Sequence, residues 1–304
     1  MPEALATWAE NLVGGRPAWR LPDDGTGARC WGISTVQGIV DLRIPRTHGD
    51  LQREVYAHRQ AVGRLTSTSA PRLLGVEPRL RALLIRQPRG ERMDHPSDMG
   101  PRLQETVHEQ AGELLSVLHT STPAIGDHHG QAVRNTLRYL DSLTPLVDLD
   151  VPALTGHRAI LRLRLTALRE VVPQLPSSFC HGAFGPAAWR WQPTQRGVAL
   201  TGFTRSQMMA AVTDFARPSL LWAMRAGLQH AFTRGYGRPL APVEQQALGD
   251  FAVLAGVQDL WHAAQRDHAA AHRQLAEAVH TAVKQLPAPN ETNAAVQATP
   301  EAAL

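Results

Sequence analysis

Apolar positions at helical spacing, Leu5, Trp8, Leu12 and Val13, predict a short amphipathic helix over Pro2–Val13, ended by Gly14 and Gly15. The period then shortens. Cys30–Thr35 and Gly38–Ile44 read as strands, with Gly25-Thr26-Gly27 as a hairpin turn ahead of them. A helix is expected from Asp50, as its N-cap, to Leu65, with Leu51, Val55, Val62 and Leu65 on the apolar face. Ala70–Glu77 and Arg81–Gln87 read as two more strands. From Gly100 the helical period takes over: Leu103, Val107, Ala111, Leu114, Leu115 and Leu118 form a stripe that ends at His119. His128-His129-Gly130 reads as a loop, and Asn135–Leu143 and Ala159–Val172 as helices. One extended block interrupts this region: a strand entering and leaving a loop at Ser178–Trp191, a turn around Pro193–Gly197, and a strand at Val198–Ser206. Helices are expected again at Ser219–Arg234, Pro242–Ala264 and Ala269–Leu286. Pro287–Leu304 has little to bury and reads as a disordered tail.

Composition sharpens this picture only in part. With 304 residues, 43% hydrophobic and 19% charged, the chain fits one large or two medium globular domains. No apolar run is long enough for a bilayer, and Met1–Gly15 lacks the basic start and apolar core of a signal peptide. No membrane partner and a cytoplasmic location are therefore expected. Cys30 and Cys180 give no disulfide framework, and Cys180 reads as a small buried residue. The net charge is +4, Lys284 is the one lysine, and the arginines are scattered, so a nucleic-acid surface is not expected. Neither His128-His129 nor the Asp267, His268, His272 group offers enough ligands in one place for a metal.

The block Ser178-Phe179-Cys180-His181-Gly182-Ala183-Phe184-Gly185-Pro186-Ala187-Ala188-Trp189-Arg190-Trp191 and its companion Val198–Ser206 carry the chemistry-bearing pattern. Together they resemble the catalytic core of the aminoglycoside phosphotransferase family, the small-molecule branch of the protein-kinase-like fold. There the loop reads His-Gly-Asp, four residues, Asn, and the second strand ends Ile-Asp-Phe, often before Glu-Arg. His181, Gly182, Phe203, Arg205 and Ser206 match. The catalytic Asp falls on Ala183, the metal-binding Asn on Ala188 and the second metal-binding Asp on Gly202. Weaker matches extend the resemblance over Val13–Gln285. Arg43 stands for the phosphate-binding Lys, and Glu54 for the helix glutamate that pairs with it. Pro88–Glu91 stands for the hinge whose backbone meets adenine, and Leu115–His119 for a Leu-X-X-Leu-His helix end. Asp214 stands for an Asp that supports the catalytic loop, although it reads equally as a helix cap. Periodicity alone gives only a mixed strand-then-helix protein. The resemblance implies an α+β, two-lobed kinase-like fold. Its N-lobe, 1–90, would hold a small antiparallel sheet with one helix besides the N-terminal one. Its mainly helical C-lobe would span 91–286, and the tail 287–304.

Phosphoryl transfer needs a carboxylate to orient the attacking hydroxyl and oxygen ligands to hold magnesium on the phosphates. From Val171 to Thr213 the sequence holds no Asp, Glu or Asn. The resemblance therefore implies a catalytically inactive homologue, a pseudokinase, with no cofactor expected. It would bind or scaffold a peptide or a partner enzyme, in a natural-product pathway of the kind in which related proteins occur. Arg43 and Glu54 are expected to survive as a relic ion pair. His181, Arg190 and Arg205, with Arg43, would line a cleft for an acidic peptide or an anionic small molecule. Strand alternation is taken to turn only one of Trp189 and Trp191 inward. Two other readings stand beside this one. An active antibiotic-type phosphotransferase would use ATP and magnesium, with His181 as base and Asp214 or Glu54 as metal ligand. A lyase or cyclase on the same scaffold would use Cys180 or His181.

Overall fold

The computed structural model describes residues 2–21, 27–66, 68–93, 99–121, 127–148, 156–222, 225–265 and 269–285. The chain divides into two compact units. One comprises Met1–Ala124, Phe179–Gln207 and Ala231–Gly237, the other Ile125–Ser178, Met208–His230 and Arg238–Leu304. This division differs from the expected boundary at residue 90. The segment just past that boundary pairs with the His181 block, Glu91 opposite Trp191 and Arg92 opposite Arg190, and so stays in the first unit.

The first unit opens with α1 (Glu3–Val13), β1 (Trp19–Arg20), β2 (Arg29–Thr35), β3 (Gly38–Ile44), α2 (His48–Gln60), β4 (Arg72–Glu77) and β5 (Ala82–Arg86). The strands form an antiparallel sheet in the order β1-β2-β3-β5-β4. Alternation along a strand sends successive side chains to opposite faces, and here both faces are covered. Val40, Leu42, Ile44, Ala82 and Leu84 pack with Leu5 and Ala9 of α1. Leu83 and Ile85 pack with Leu51 of α2. That double burial explains why Ala82–Ile85 of β5 is apolar without interruption. It also turns Arg43, between Leu42 and Ile44, toward the α2 side.

Two details of α2 correct the sequence reading. Thr47, not Asp50, is the N-cap: Thr47 Oγ1 accepts from the Asp50 N–H at 3.1 Å and Asp50 Oδ2 accepts from the Thr47 N–H at 3.1 Å. This is a capping box. The helix ends at Gln60, and Val62–Arg64 forms a separate 3-10 turn. The unit continues through β6 (Glu91–Arg92) and α3 (Pro101–Thr120), and later through β8 (Trp189–Gln192) and β9 (Gly197–Leu200). β6, β8 and β9 form a second antiparallel sheet. α3 packs on β9, and the His108 ring meets Trp189 edge-on at 5.2 Å.

The second unit is helical: α4 (His128–Asp148), α5 (Arg158–Val171), α6 (Ala216–Trp222), α8 (Pro242–Gln265) and α9 (Ala269–Gln285). Its core gathers Leu140, Leu161, Leu165, Phe251, Leu260 and Val279. Arg164 lies 3.3 Å from Asp250, both buried, and burial still pushes the Asp250 carboxyl up to about 6. His128-His129-Gly130 opens α4 instead of forming a loop, because Asp127 Oδ1 accepts from the Gly130 N–H at 2.9 Å and caps the helix. The expected helix Ser219–Arg234 is two helices, α6 and α7 (Ala226–Tyr236). The Arg225 N–H folds back on Trp222 O at 2.9 Å and tightens the end of α6. β7 (Ser177–Cys180) and β10 (Gln207–Ala210) are the strands on which the chain passes from one unit to the other. Gly25, Thr26, Met224, Asp267, His268, the side chain of His272 and the tail 287–304 lie outside the described residues. Among the described residues no helix is long and apolar enough to cross a membrane.

Candidate functional site

Within the first unit, β7 ends at Cys180 and hands the chain to His181. His181 is 0% exposed. Its Nε2 donates to Thr201 O at 2.8 Å, and its Nδ1 accepts from the Ala183 N–H at 3.3 Å. The two partners assign the proton to Nε2 and leave neither nitrogen for a substrate. The ring packs on Phe203, centroids 4.7 Å apart, and edge-on against Phe184 at 5.8 Å. This corrects two expectations for His181, as a cleft-lining group and as a base: it is a structural residue that shapes the loop.

The loop is held by main-chain contacts. Ser206 Oγ donates to His181 O at 3.1 Å. Gly182 has φ +78°, and a Cβ there would lie 2.3 Å from Arg205 O, so only glycine fits the crossing. The Thr201 N–H donates to Ala188 O at 2.8 Å and pins the end of β9 to the turn before β8. On this frame Ala183 presents a methyl at a half-exposed position, Ala188 a buried methyl, and Gly202 only hydrogen at an exposed one. A Cβ at Gly202 would meet nothing closer than His181 Cε1 at 3.9 Å.

Beside this loop lies a buried charge. Arg43 Nε is 3.1 Å from Glu54 Oε1, with side-chain exposures of 8% and 2%. Arg43 Nη2 also donates to Thr204 Oγ1 at 3.0 Å. One guanidinium thus joins β3, α2 and the 3-10 turn Phe203–Arg205. His58 follows Glu54 by one helical turn, and its ring stacks on Phe203 at 6.0 Å. Burial, and after it the Arg43 charge, lowers His58 to about 4, so it is neutral at physiological pH. Neither Thr204 nor His58 was singled out from sequence. The i, i+4 spacing of Glu54 and His58 was the one signal available.

The remaining expected residues have other tasks. Arg190 Nη1 donates to Gly90 O at 3.1 Å, and Gln192 Nε2 donates to Thr68 O at 2.7 Å and Arg89 O at 2.9 Å. Gln87 donates its N–H to Ile39 O at 3.3 Å and its side chain to Asp41 Oδ2 at 2.7 Å. Pro88 has no N–H. Several main-chain groups of the segment 87–90 are therefore engaged from within. Arg190 is a brace on that segment, and Arg205 closes its main chain over Gly182, so the three expected cleft residues do different jobs. Trp189 and Trp191 are both buried, at 0% and 8%. Residues two apart on a strand share a face, which overturns the expectation that only one would turn inward. Asp214 is buried in the 3-10 turn Ala211–Phe215 of the second unit, with Arg217 nearby. His119 Nδ1 lies 2.8 Å from Tyr236 Oη at the end of α3. Cys30 and Cys180 are buried and form no disulfide, without the exposure a nucleophile needs.

Sequence comparison finds no matching family model and no matching curated protein. Comparison of folds finds many solved structures. APH(2")-IIIa, solved with GDP and kanamycin, superposes with TM-score 0.61 at 13% identity, covering 97% of this chain and 99% of that one. A choline/ethanolamine kinase family protein from Mesorhizobium loti gives TM-score 0.58 at 18% identity, over 96% and 99% of the two chains. Spectinomycin phosphotransferase, solved with ADP and spectinomycin, gives 0.60 at 10% identity, over 97% and 98%.

Proposed function

We propose that this chain, which has the aminoglycoside phosphotransferase-like fold, is a catalytically inactive homologue that acts by binding. It would scaffold a peptide or a partner enzyme, in a natural-product pathway by the resemblance, and work without ATP or magnesium. One observation carries the reading: the loop keeps its scaffold bonds while Ala183, Ala188 and Gly202 stand where oxygen-bearing side chains belong. Phosphoryl transfer draws its catalysis from positioning and from charge neutralised by a hard cation. Methyl groups and hydrogen coordinate no magnesium. The residues present do not fit that ion, and no step through it is derived.

The charged groups nearby support the same reading. Arg43 is held by Glu54 and Thr204, and a guanidinium so engaged does not replace a lysine ammonium on phosphate. The readings that keep an active enzyme would need His181 as base, Glu54 or Asp214 on metal, or Cys180 as nucleophile. Both His181 nitrogens have partners, Glu54 faces Arg43, and Cys180 is buried. Fold and activity separate readily when the site residues change.

The test incubates the full chain with labelled ATP or GTP, magnesium, and kanamycin, spectinomycin or choline as acceptor. Thermal unfolding is followed with the same nucleotides. No transfer above the buffer rate and no magnesium-dependent rise in melting temperature are expected. Transfer that vanishes in an Arg43→Ala variant of unchanged fold would overturn the proposal.

A further inference from the structure

β4 is the last strand of its sheet. It pairs with β5, and among the described residues no strand pairs with its other side. An edge strand offers a row of N–H and C=O groups with no ladder partner. Along this edge runs a groove of about 450 Å³, walled by the end of α2, the turn after it, and Pro71–Val76. That volume is within the usual range of ligand pockets, about 300–1,000 Å³. Its walls are mixed, with Val62, Leu65, Leu74 and Val76 set among His58, Arg59, Thr66 and Arg72. Exposed Arg59 and Arg72 flank it, and none of its lining residues is acidic. His58 belongs to the lining, is 6% exposed, and its Nδ1 has no hydrogen-bond partner.

We infer that this groove docks an extended acidic peptide segment of a partner protein, which adds a strand to the open side of β4. Main-chain groups along an edge are satisfied best by another extended main chain, so the occupant is a peptide. β4 has the length for a segment of roughly six residues, about 20 Å. The bulge between Leu73 and Gly75, with Pro71 ahead of it, keeps the open edge short. Alternate side chains of the segment would meet Val62, Leu65, Leu74 and Val76 while carboxylates meet Arg59 and Arg72. No residue of the His181 loop lines this groove, and the inference holds whether or not phosphoryl groups are transferred.

The experiment selects short random peptides displayed on phage against the full chain, then titrates fluorescein-labelled winners by anisotropy. Winners are expected to carry Asp or Glu at alternate positions. Their affinity should fall about tenfold or more with Arg59→Glu/Arg72→Glu, and equally when alternate peptide amides are N-methylated. Both side chains are exposed, so the melting temperature should hold; Arg59→Gln/Arg72→Gln is the milder variant should it not. The inference is overturned by winners without acidic enrichment, by binding that ignores the arginine changes, or by binding that ignores N-methylation. Sedimentation showing a dimer of the chain that the arginine changes dissolve would assign the edge to a second copy instead and overturn it too. Labelled-nucleotide turnover reads none of these outcomes, so the two proposals fail separately.

Discussion

Removing Glu54 should be among the most damaging single changes in the first unit. Its carboxylate is 2% exposed and faces a guanidinium that is 8% exposed. In Glu54→Ala the Arg43 charge stays buried without its carboxylate, although the Thr204 hydroxyl still accepts from it. Stranding one partner of a buried pair costs about 3–5 kcal/mol. Glu54→Gln keeps the volume and one acceptor, and should cost about 1.5–3 kcal/mol, the worth of a charge-assisted hydrogen bond. Arg43→Lys keeps the charge but cannot reach Glu54 and Thr204 at once in the forked geometry, and should cost about 1–2 kcal/mol. The decisive member is the double variant Arg43→Met/Glu54→Leu. Both charges are gone and the space is filled, so stability should return to within about 1 kcal/mol of the parent, as buried pairs replaced by apolar groups often do. Urea unfolding followed by tryptophan fluorescence measures the series. With a slope of about 3 kcal/mol/M, the Glu54→Ala midpoint should drop by about 1 M or more. A Glu54→Ala loss below about 1 kcal/mol would refute the reasoning, because it would mean that Arg43 reaches water. A double variant as unstable as the sum of its singles would refute it as well, since that leaves no coupling between the two groups.

Gly182→Ala should cost about 1–3 kcal/mol for its φ of +78° alone and more for the contact with Arg205 O, whereas Ala183→Asp next door, at a half-exposed position, should change stability by less than about 0.5 kcal/mol; thermal melts of the pair decide. His58 should make the first unit sensitive to acid. Its folded value, about 4, lies below the unfolded 6.5, so the unfolded chain binds a proton first and stability falls as pH drops from about 6.5 to about 4, by roughly 3 kcal/mol. Replacing His58 with Phe should remove that slope. Asp250 works in the opposite sense: its carboxyl is raised from 3.8 to about 6, so it favours the folded state more as pH falls through the same interval, and Asp250→Asn should steepen the acid loss in urea titrations. Arg164→Met should cost less than Arg164→Ala, because it fills the space even though Asp250 loses its partner; equal costs by urea unfolding would show that packing contributes nothing there.

Much of the candidate site was legible because its signals are local. The strands around His181 announce themselves by β-prone residues bounded by glycine and proline, and Arg43 and Glu54 sit on neighbouring elements with a known partnership in the resembling family. Thr204 escaped notice because its bond to Arg43 joins positions 161 residues apart. The role of His181 escaped for a different reason: its partners are a main-chain oxygen and a main-chain N–H, which every residue carries. Thr47 was readable, since Thr-x-x-Asp before a helix is a capping box, and the choice of Asp50 overlooked it. The tryptophan pair is legible too, since residues two apart on a strand share a face.

The same distinction explains how this loop can hold its shape with Ala183, Ala188 and Gly202 in it. The bonds that set its path run through His181 O, the Ala183 N–H, Ala188 O and the Gly182 crossing. Three of these four depend on the backbone and not on the side chain at 183 or 188, and the fourth asks only for the absence of one. Gly202, with φ +84° and open space around it, likewise holds its turn with no side-chain bond to lose. None of the frame's hydrogen bonds needs a side chain at 183, 188 or 202, so alanine and glycine there leave the frame intact. By contrast, Arg43 and Glu54 are coupled through burial: either one changed alone is costly, and that coupling preserves the pair with or without a phosphate to bind.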